Sequence, residues 1–260
     1  MNITDKIELI NGDCLIEMQN IKDKSIDLIL CDLPYGTTAC AWDNIIPFDK
    51  LWEQYERIIK PNGAIVLTAS QPFTSKLVMS NLKLFRHQWQ WIKNKPTGAL
   101  TAKYMPMKAN EDILIFGLNK VNYYPQMVKR TPQEFKKCYR KNDSLSRGSN
   151  VTSIKQNKLI RKSKEEQWFK FPTNILTIKK DDKRNGNQHP TQKPVELMEY
   201  LIKTYSNEND LVLDNCMGSG TTAIACNNTN RKFIGIELDT QYYDKAVERI
   251  KNHVSQQKLF

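Results

Sequence analysis

The chain has 260 residues, 40% of them hydrophobic, with 39 Lys plus Arg against 28 Asp plus Glu and a formal net charge of +11. That length and apolar content suffice for one sizeable core, with or without an insertion, which excludes a chain disordered throughout. Apolar runs such as Ala64-Ile65-Val66-Leu67 fall far short of the roughly 18 residues of a membrane span, and the start MNITDKIELI has no apolar signal core, so a soluble, cytoplasmic protein is expected.

Six cysteines, at positions 14, 31, 40, 138, 216 and 226, include no CxxC pair, and His87, His189 and His253 are scattered. That pattern favours reduced, partly buried thiols over a metal centre. The charge is uneven along the chain. Residues 119–188 hold 18 Lys or Arg and 6 Asp or Glu, while the remainder holds 21 and 22. Such concentration suits a polyanion, nucleic acid above all; a solvated basic loop is the plainer alternative.

In chain order, Ile7–Ile10 and Ile26–Leu30 read as strands with a short helix between them. Leu51, Trp52, Tyr55, Ile58 and Ile59 fall at helical spacing after Phe48, and Pro61-Asn62-Gly63 reads as the stop. Ala64–Thr68 then reads as a buried strand, and Gln88–Ile92 and Asp112–Phe116 as two more. The rhythm breaks over 119–188, a polar, basic stretch read as an insertion. Pro194 suits a helix start and is followed by Leu197, Met198, Leu201, Ile202 and Tyr205 on one face. Leu211–Leu213, a Gly turn, a helix from about Thr221, a strand Phe233–Ile236 and a final helix complete a βαβ unit. The class is α/β, with no internal repeat.

Two stretches carry chemistry. The first runs Leu211-Val212-Leu213-Asp214-Asn215-Cys216-Met217-Gly218-Ser219-Gly220-Thr221, with Glu237 at the end of the next strand. Glycines let a ligand approach the backbone, a helix start offers free amides, and an acidic strand end accepts ribose hydroxyls. Gly218-x-Gly220-x-x-Ala223 fits NAD as well as S-adenosylmethionine, and a tight structural turn is the plainer reading. The second is Asp32-Leu33-Pro34-Tyr35 at the carboxyl end of a buried strand, the ligand edge of a doubly wound sheet. Asp32 can accept from a ligand amine and Tyr35 can stack on a flat base; an ordinary Asp-Pro turn is the alternative.

Together these stretches resemble the amino-group DNA methyltransferases, which methylate adenine N6 or cytosine N4 with S-adenosylmethionine. Their signature of Asp, Asn or Ser followed by Pro-Pro-Tyr is matched by Asp32-Leu33-Pro34-Tyr35, with Leu33 at the commoner first Pro. Their HPTxKP element is matched by His189-Pro190-Thr191-Gln192-Lys193-Pro194. The order of motifs resembles the beta subgroup, in which the catalytic motif precedes the target-recognition region and the cofactor motif.

The resemblance implies a Rossmann-like methyltransferase sheet with circularly permuted motif order. Residues 1–118 would form the catalytic half, 119–188 a basic target-recognition insertion and 189–260 the cofactor-binding half. It implies Asp32, Leu33, Pro34 and Tyr35 as catalytic residues. Cofactor contacts would come from Asp13, Pro190, Thr191, Lys193, Asp214, Gly218, Ser219, Gly220, Thr221 and Glu237. Cys216 stands where the family often has Phe.

The expected substrate is double-stranded DNA, flipped at the target base, with adenine favoured because Asp heads the signature. The expected reaction needs no metal. The oligomeric state is left open, a homodimer being one option because related enzymes often pair. The competing readings are a cytosine N4 enzyme, an RNA exocyclic-amine methyltransferase, an NAD-dependent enzyme and a catalytically dead binding module.

Overall fold

The computed structural model describes residues 1–36, 43–137, 168–180 and 192–257. They form two units, one of residues 1–124 with 174–260 and one of 125–173.

The larger unit is built on a nine-stranded sheet. Its strands are β1 (Asn2–Thr4), β2 (Ile7–Asn11), β3 (Ile26–Cys31), β4 (Ile59–Ala69), β5 (Phe85–Thr97), β6 (Lys108–Phe116), β9 (Ile175–Thr177), β10 (Leu211–Asp214) and β11 (Lys232–Glu237). The spatial order is β1-β2-β11-β10-β3-β4-β6-β5-β9. From β2 to β4 every neighbouring pair is parallel, whereas β6 runs antiparallel between β4 and β5.

Period-2 alternation along the strands sends their side chains to two cores. Leu28 and Leu30 of β3 join one apolar cluster, and Ile29 and Cys31 join the other. The first cluster is covered by α4 (Val195–Tyr205), α5 (Thr221–Asn228) and α6 (Thr240–Gln257). The second is covered by α2 (Phe48–Ile58) and α3 (Phe73–Ser80), with α1 (Cys14–Glu17) at its edge. Helices on both faces of a largely parallel sheet are the doubly wound α/β architecture expected. Leu51, Tyr55 and Ile58 of α2 are fully buried, and each such side chain contributes about 1.5–3 kcal/mol through burial.

The helix from Phe48 stops at Ile58, three residues before Pro61-Asn62-Gly63, which lies inside β4. The expected stop is instead an irregularity in pairing: Ile26 faces Ile59 but Leu28 faces Ala64. Gly63 passes so close to Asp27 that a Cβ would sit 2.8 Å from its carbonyl oxygen.

The segment read as an insertion is wider than the smaller unit. Val121 is buried in the main core, Tyr124 donates its amide to Thr204, and β9 pairs with β5. Within 125–173, β7 (Val128–Lys129) pairs antiparallel with β8 (Phe169–Lys170). Phe135 stacks on Trp168 at 4.0 Å between centroids. Thr131 and Glu134 exchange reciprocal hydrogen bonds that cap the helical residues 132–137.

Candidate active site

Strand order reverses between β10 and β3. The chain leaves β10 through α5 toward β11 on one side and leaves β3 through α2 toward β4 on the other. Loops following the two carboxyl ends therefore diverge and leave a crevice. A cavity of about 520 Å³ occupies it, lined by both motifs: Asp32 to Tyr35 from one and Asp214 to Ser219 from the other, with Asp13, Lys193 and Glu237.

Asp32 follows the last residue of β3. Its Oδ1 lies 2.8 Å from the Tyr35 hydroxyl and accepts the Thr68 hydroxyl, and its Oδ2 accepts from Lys193 Nζ at 2.5 Å. A carboxylate offers about four acceptor positions. Three are taken, and the fourth lies on Oδ2. Leu33 is buried in the α2–α3 core, which anchors the loop where the family's commoner residue is Pro. The Tyr35 ring stacks on Phe73 at 4.9 Å, so the pair makes a stiff aromatic wall. Burial, reinforced by Asp32 and Glu111, holds the Tyr35 hydroxyl well above the ordinary tyrosine range.

Lys193 also lies 3.4 Å from Glu111 Oε2, whose Oε1 is 3.1 Å from Lys93 Nζ. Burial disfavours the Lys193 ammonium, but Asp32 and Glu111 outweigh it and raise its pKa. Lys93, Glu111 and Thr68 were not singled out in the sequence. The signal for them was available: each is a polar residue in a strand otherwise rich in buried apolar side chains.

The second motif forms the turn from β10 into α5. Asp214 accepts Thr222 Oγ1 at 2.6 Å and the Cys216 amide at 3.1 Å. Burial raises its pKa to about 7. Gly218 has φ +51° and a Cβ there would meet nothing within 4 Å; Gly220 has φ +74° and a Cβ would press on Ile250 at 2.7 Å. The first glycine opens the turn toward the cavity, and the second seats it on α6. Glu237 ends β11, where its Oε2 accepts the Gly218 amide at 2.9 Å and its Oε1 the Asp239 amide at 3.0 Å. Burial raises its pKa also.

Asp13 caps α1, accepting the Leu15 amide at 2.8 Å. Ser219 and Thr221 meet Arg249, whose Nη1 donates to the Ser219 carbonyl at 2.8 Å and lies 3.0 Å from Thr221 Oγ1. Tyr55 of α2 donates to Asn215 at 2.6 Å, tying the turn after β10 to the helix that precedes β4. Burial raises the Cys31 thiol to about 12. Pro190 and Thr191 lie outside the described residues, as does His189.

A nucleoside joined to an amino acid fits this cavity. Its lining includes an open glycine turn, a carboxylate at the end of β11 and a second carboxylate at Asp13.

The sequence profile of the N6/N4 DNA methylase family matches residues 26–248. The chain belongs to that family of DNA methylases. The type II methyltransferase M.HpaI of Haemophilus parainfluenzae is 29% identical over 93% of this chain and 73% of its own. The DNA adenine methyltransferase YhdJ of Escherichia coli K12 is 26% identical over 96% and 85%. Among solved structures, the complex of M1.HpyAVI with SAM superposes with a TM-score of 0.60 at 25% identity, covering 94% of this chain and 98% of that one. The cytosine-N4-specific PvuII DNA methyltransferase shares the fold with a TM-score of 0.64 at 16% identity, over 97% and 93%.

Proposed function

We propose that the protein is a site-specific DNA methyltransferase that transfers the methyl of S-adenosylmethionine to the exocyclic N6 of a flipped-out adenine. The observation that carries this reading is the single acceptor position left on Asp32, in the same cavity as the Gly218 turn and Glu237. Type II methyltransferases among its relatives and the adenine enzyme YhdJ support it.

An exocyclic amine is a poor nucleophile because its lone pair is delocalised into the ring. When bound, S-adenosylmethionine supplies a methyl on a sulfonium, already a good electrophile. The chain's own work is therefore to hold and polarise the amine. Asp32 Oδ2 accepts one amine hydrogen and the Leu33 carbonyl the other, which turns the nitrogen lone pair out of conjugation. Tyr35, backed by Phe73, presents the wall against which the base rests, while its hydroxyl and Thr68 fix the carboxylate. Pro34 stiffens the loop between them. Glu237 and Asp13 would accept from the polar groups of the nucleoside, and Asp214, Gly218, Ser219, Gly220 and Thr221 would hold the remainder of the cofactor. The family resemblance assigns Pro190 and Thr191 to the cofactor as well, while Lys193 reaches Asp32.

Because the amine is paired inside a duplex, the base must leave the stack, which costs a few kcal/mol. Basic contacts to phosphate from the segment 119–188 offset part of that cost.

Mass analysis of nucleosides from duplex DNA incubated with labelled cofactor tests the reading: labelled N6-methyladenine is expected. N4-methylcytosine would move the target to the other amine, and label appearing only in structured RNA would move the substrate class. Asp32→Ala should bind duplex DNA normally and transfer no methyl; near-native turnover would remove Asp32 from the mechanism.

A further inference from the structure

The loop between β5 and β6 starts at the cavity. Thr97, the last residue of β5, lines it. Lys108, the first residue of β6, donates from Nζ to the Gln71 carbonyl at 3.0 Å. Residues 98–107 thus rise from the rim of the site. The loop is ordered by its own backbone: Gly98, with φ +93°, accepts the Thr101 amide at 3.1 Å, and Thr101 accepts the amides of Tyr104 and Met105 at 2.9 and 3.1 Å.

Yet this folded loop buries none of its large side chains. Leu100 is 98% exposed, Tyr104 86%, Met105 54% and Met107 40%. A loop held in shape while presenting apolar groups to water marks an interaction surface. Its charge selects the occupant. Residues 94–110 carry Lys95, Lys103 and Lys108 and no Asp or Glu. A second copy would bring another chain of net charge +11 against this surface, whereas a polyanion is attracted to it.

We infer that residues 98–107 form a wedge that enters duplex DNA beside the target base, with Leu100 and Tyr104 occupying the stack and Lys103 against a flanking phosphate. Apolar side chains inserted at a base step offset the unstacking of that step and hold the duplex open. This rests on the reading of the protein as a DNA base methyltransferase; the loop's own contribution is to stabilise the emptied duplex, not to touch the reacting atoms.

The test uses the full chain and a duplex carrying the site that the unaltered protein modifies, found by sequencing a methylated library. The double variant Leu100→Ala/Tyr104→Ala should melt at the same temperature and bind cofactor as before. On the paired duplex its kcat/KM should fall about tenfold or more, and the rise in 2-aminopurine emission at the target position should shrink. On a duplex with an abasic site opposite the target, where no pairing resists extrusion, the loss should narrow to within about threefold. Equal losses on both duplexes, or none on either, would overturn the wedge while leaving the methyltransferase reading intact. A variant that alters only the sedimentation of the protein would assign the loop to self-association and overturn it also. An unaltered protein that methylates no duplex DNA would overturn both readings.

Discussion

Lys193 Nζ lies 2.5 Å from Asp32 Oδ2, joining residues 161 positions apart in the lining of the cavity. The lysine also faces Glu111, so it is the shared counter-ion of two carboxylates. The family resemblance places Lys193 with the cofactor. Its side chain belongs geometrically to the Asp32 loop.

That placement predicts a split in kinetics. Lys193→Met should lower kcat by about 100-fold, because Asp32 and Glu111 would face each other without their cation and the aspartate would lose its orientation. The cofactor dissociation constant should change by less than about threefold. Calorimetric titration beside single-turnover kinetics checks both; a loss confined to cofactor binding would return Lys193 to the cofactor site.

Glu237→Ala should do the reverse. It removes a carboxylate that now accepts two backbone amides and would accept ribose hydroxyls. Hydrogen bonds to a charged group contribute about 1.5–3 kcal/mol, so cofactor affinity should fall by about 10- to 100-fold. At saturating cofactor, methyl transfer should recover most of its rate, as measured by single-turnover assay.

Asp214 makes stability depend on pH. Burial raises its folded-state pKa to about 7, whereas an unfolded aspartate titrates near about 3.9. Between those values the folded protein keeps a proton that the unfolded chain releases, so stability must fall as pH rises through about 4 to 7. The contribution is up to about 4 kcal/mol at full effect. Urea denaturation of the ligand-free protein at pH 5 and pH 8 should show it, and Asp214→Asn should flatten that part of the profile.

The smaller unit can be removed without cutting the sheet. Residues 125–173 contain 13 Lys or Arg and 4 Asp or Glu. Replacing them with a Gly-Ser linker should leave cofactor binding unchanged, weaken duplex affinity by about tenfold or more at moderate salt, and make its dependence on salt concentration shallower. A filter-binding salt series would read all of this; undiminished affinity would remove the segment from DNA recognition.

Much of this architecture was written in local pattern. Leu28, Leu30 and the helical face from Leu51 to Ile58 carry their periods in plain form, and the Gly218 turn announces itself by residue type. What local pattern misses depends on partners distant in the chain. Pro61-Asn62-Gly63 looks like a stop, but pairing with β3 draws it into a strand. Basic composition continues through Lys179 and Lys180, so it overstates the insertion, because β9 is held by β5 and not by its own neighbours. Tyr123 and Tyr124 sit in the basic stretch, yet Tyr123 packs near Tyr205 and Tyr124 accepts from Asn207. Glu111 and Lys93 acquire meaning only once Lys193 is beside them.

The interleaving of the sheet sets how the protein can assemble. β10 and β11, from the end of the chain, stand between β2 and β3, from its beginning, and β9 closes the far edge. A nascent chain that has emerged only as far as residue 124 has no neighbour for either exposed strand edge at that gap. The central layer can close only after β11 has been synthesised, and two polypeptides split within 125–173 would have to fold on one another to regain it.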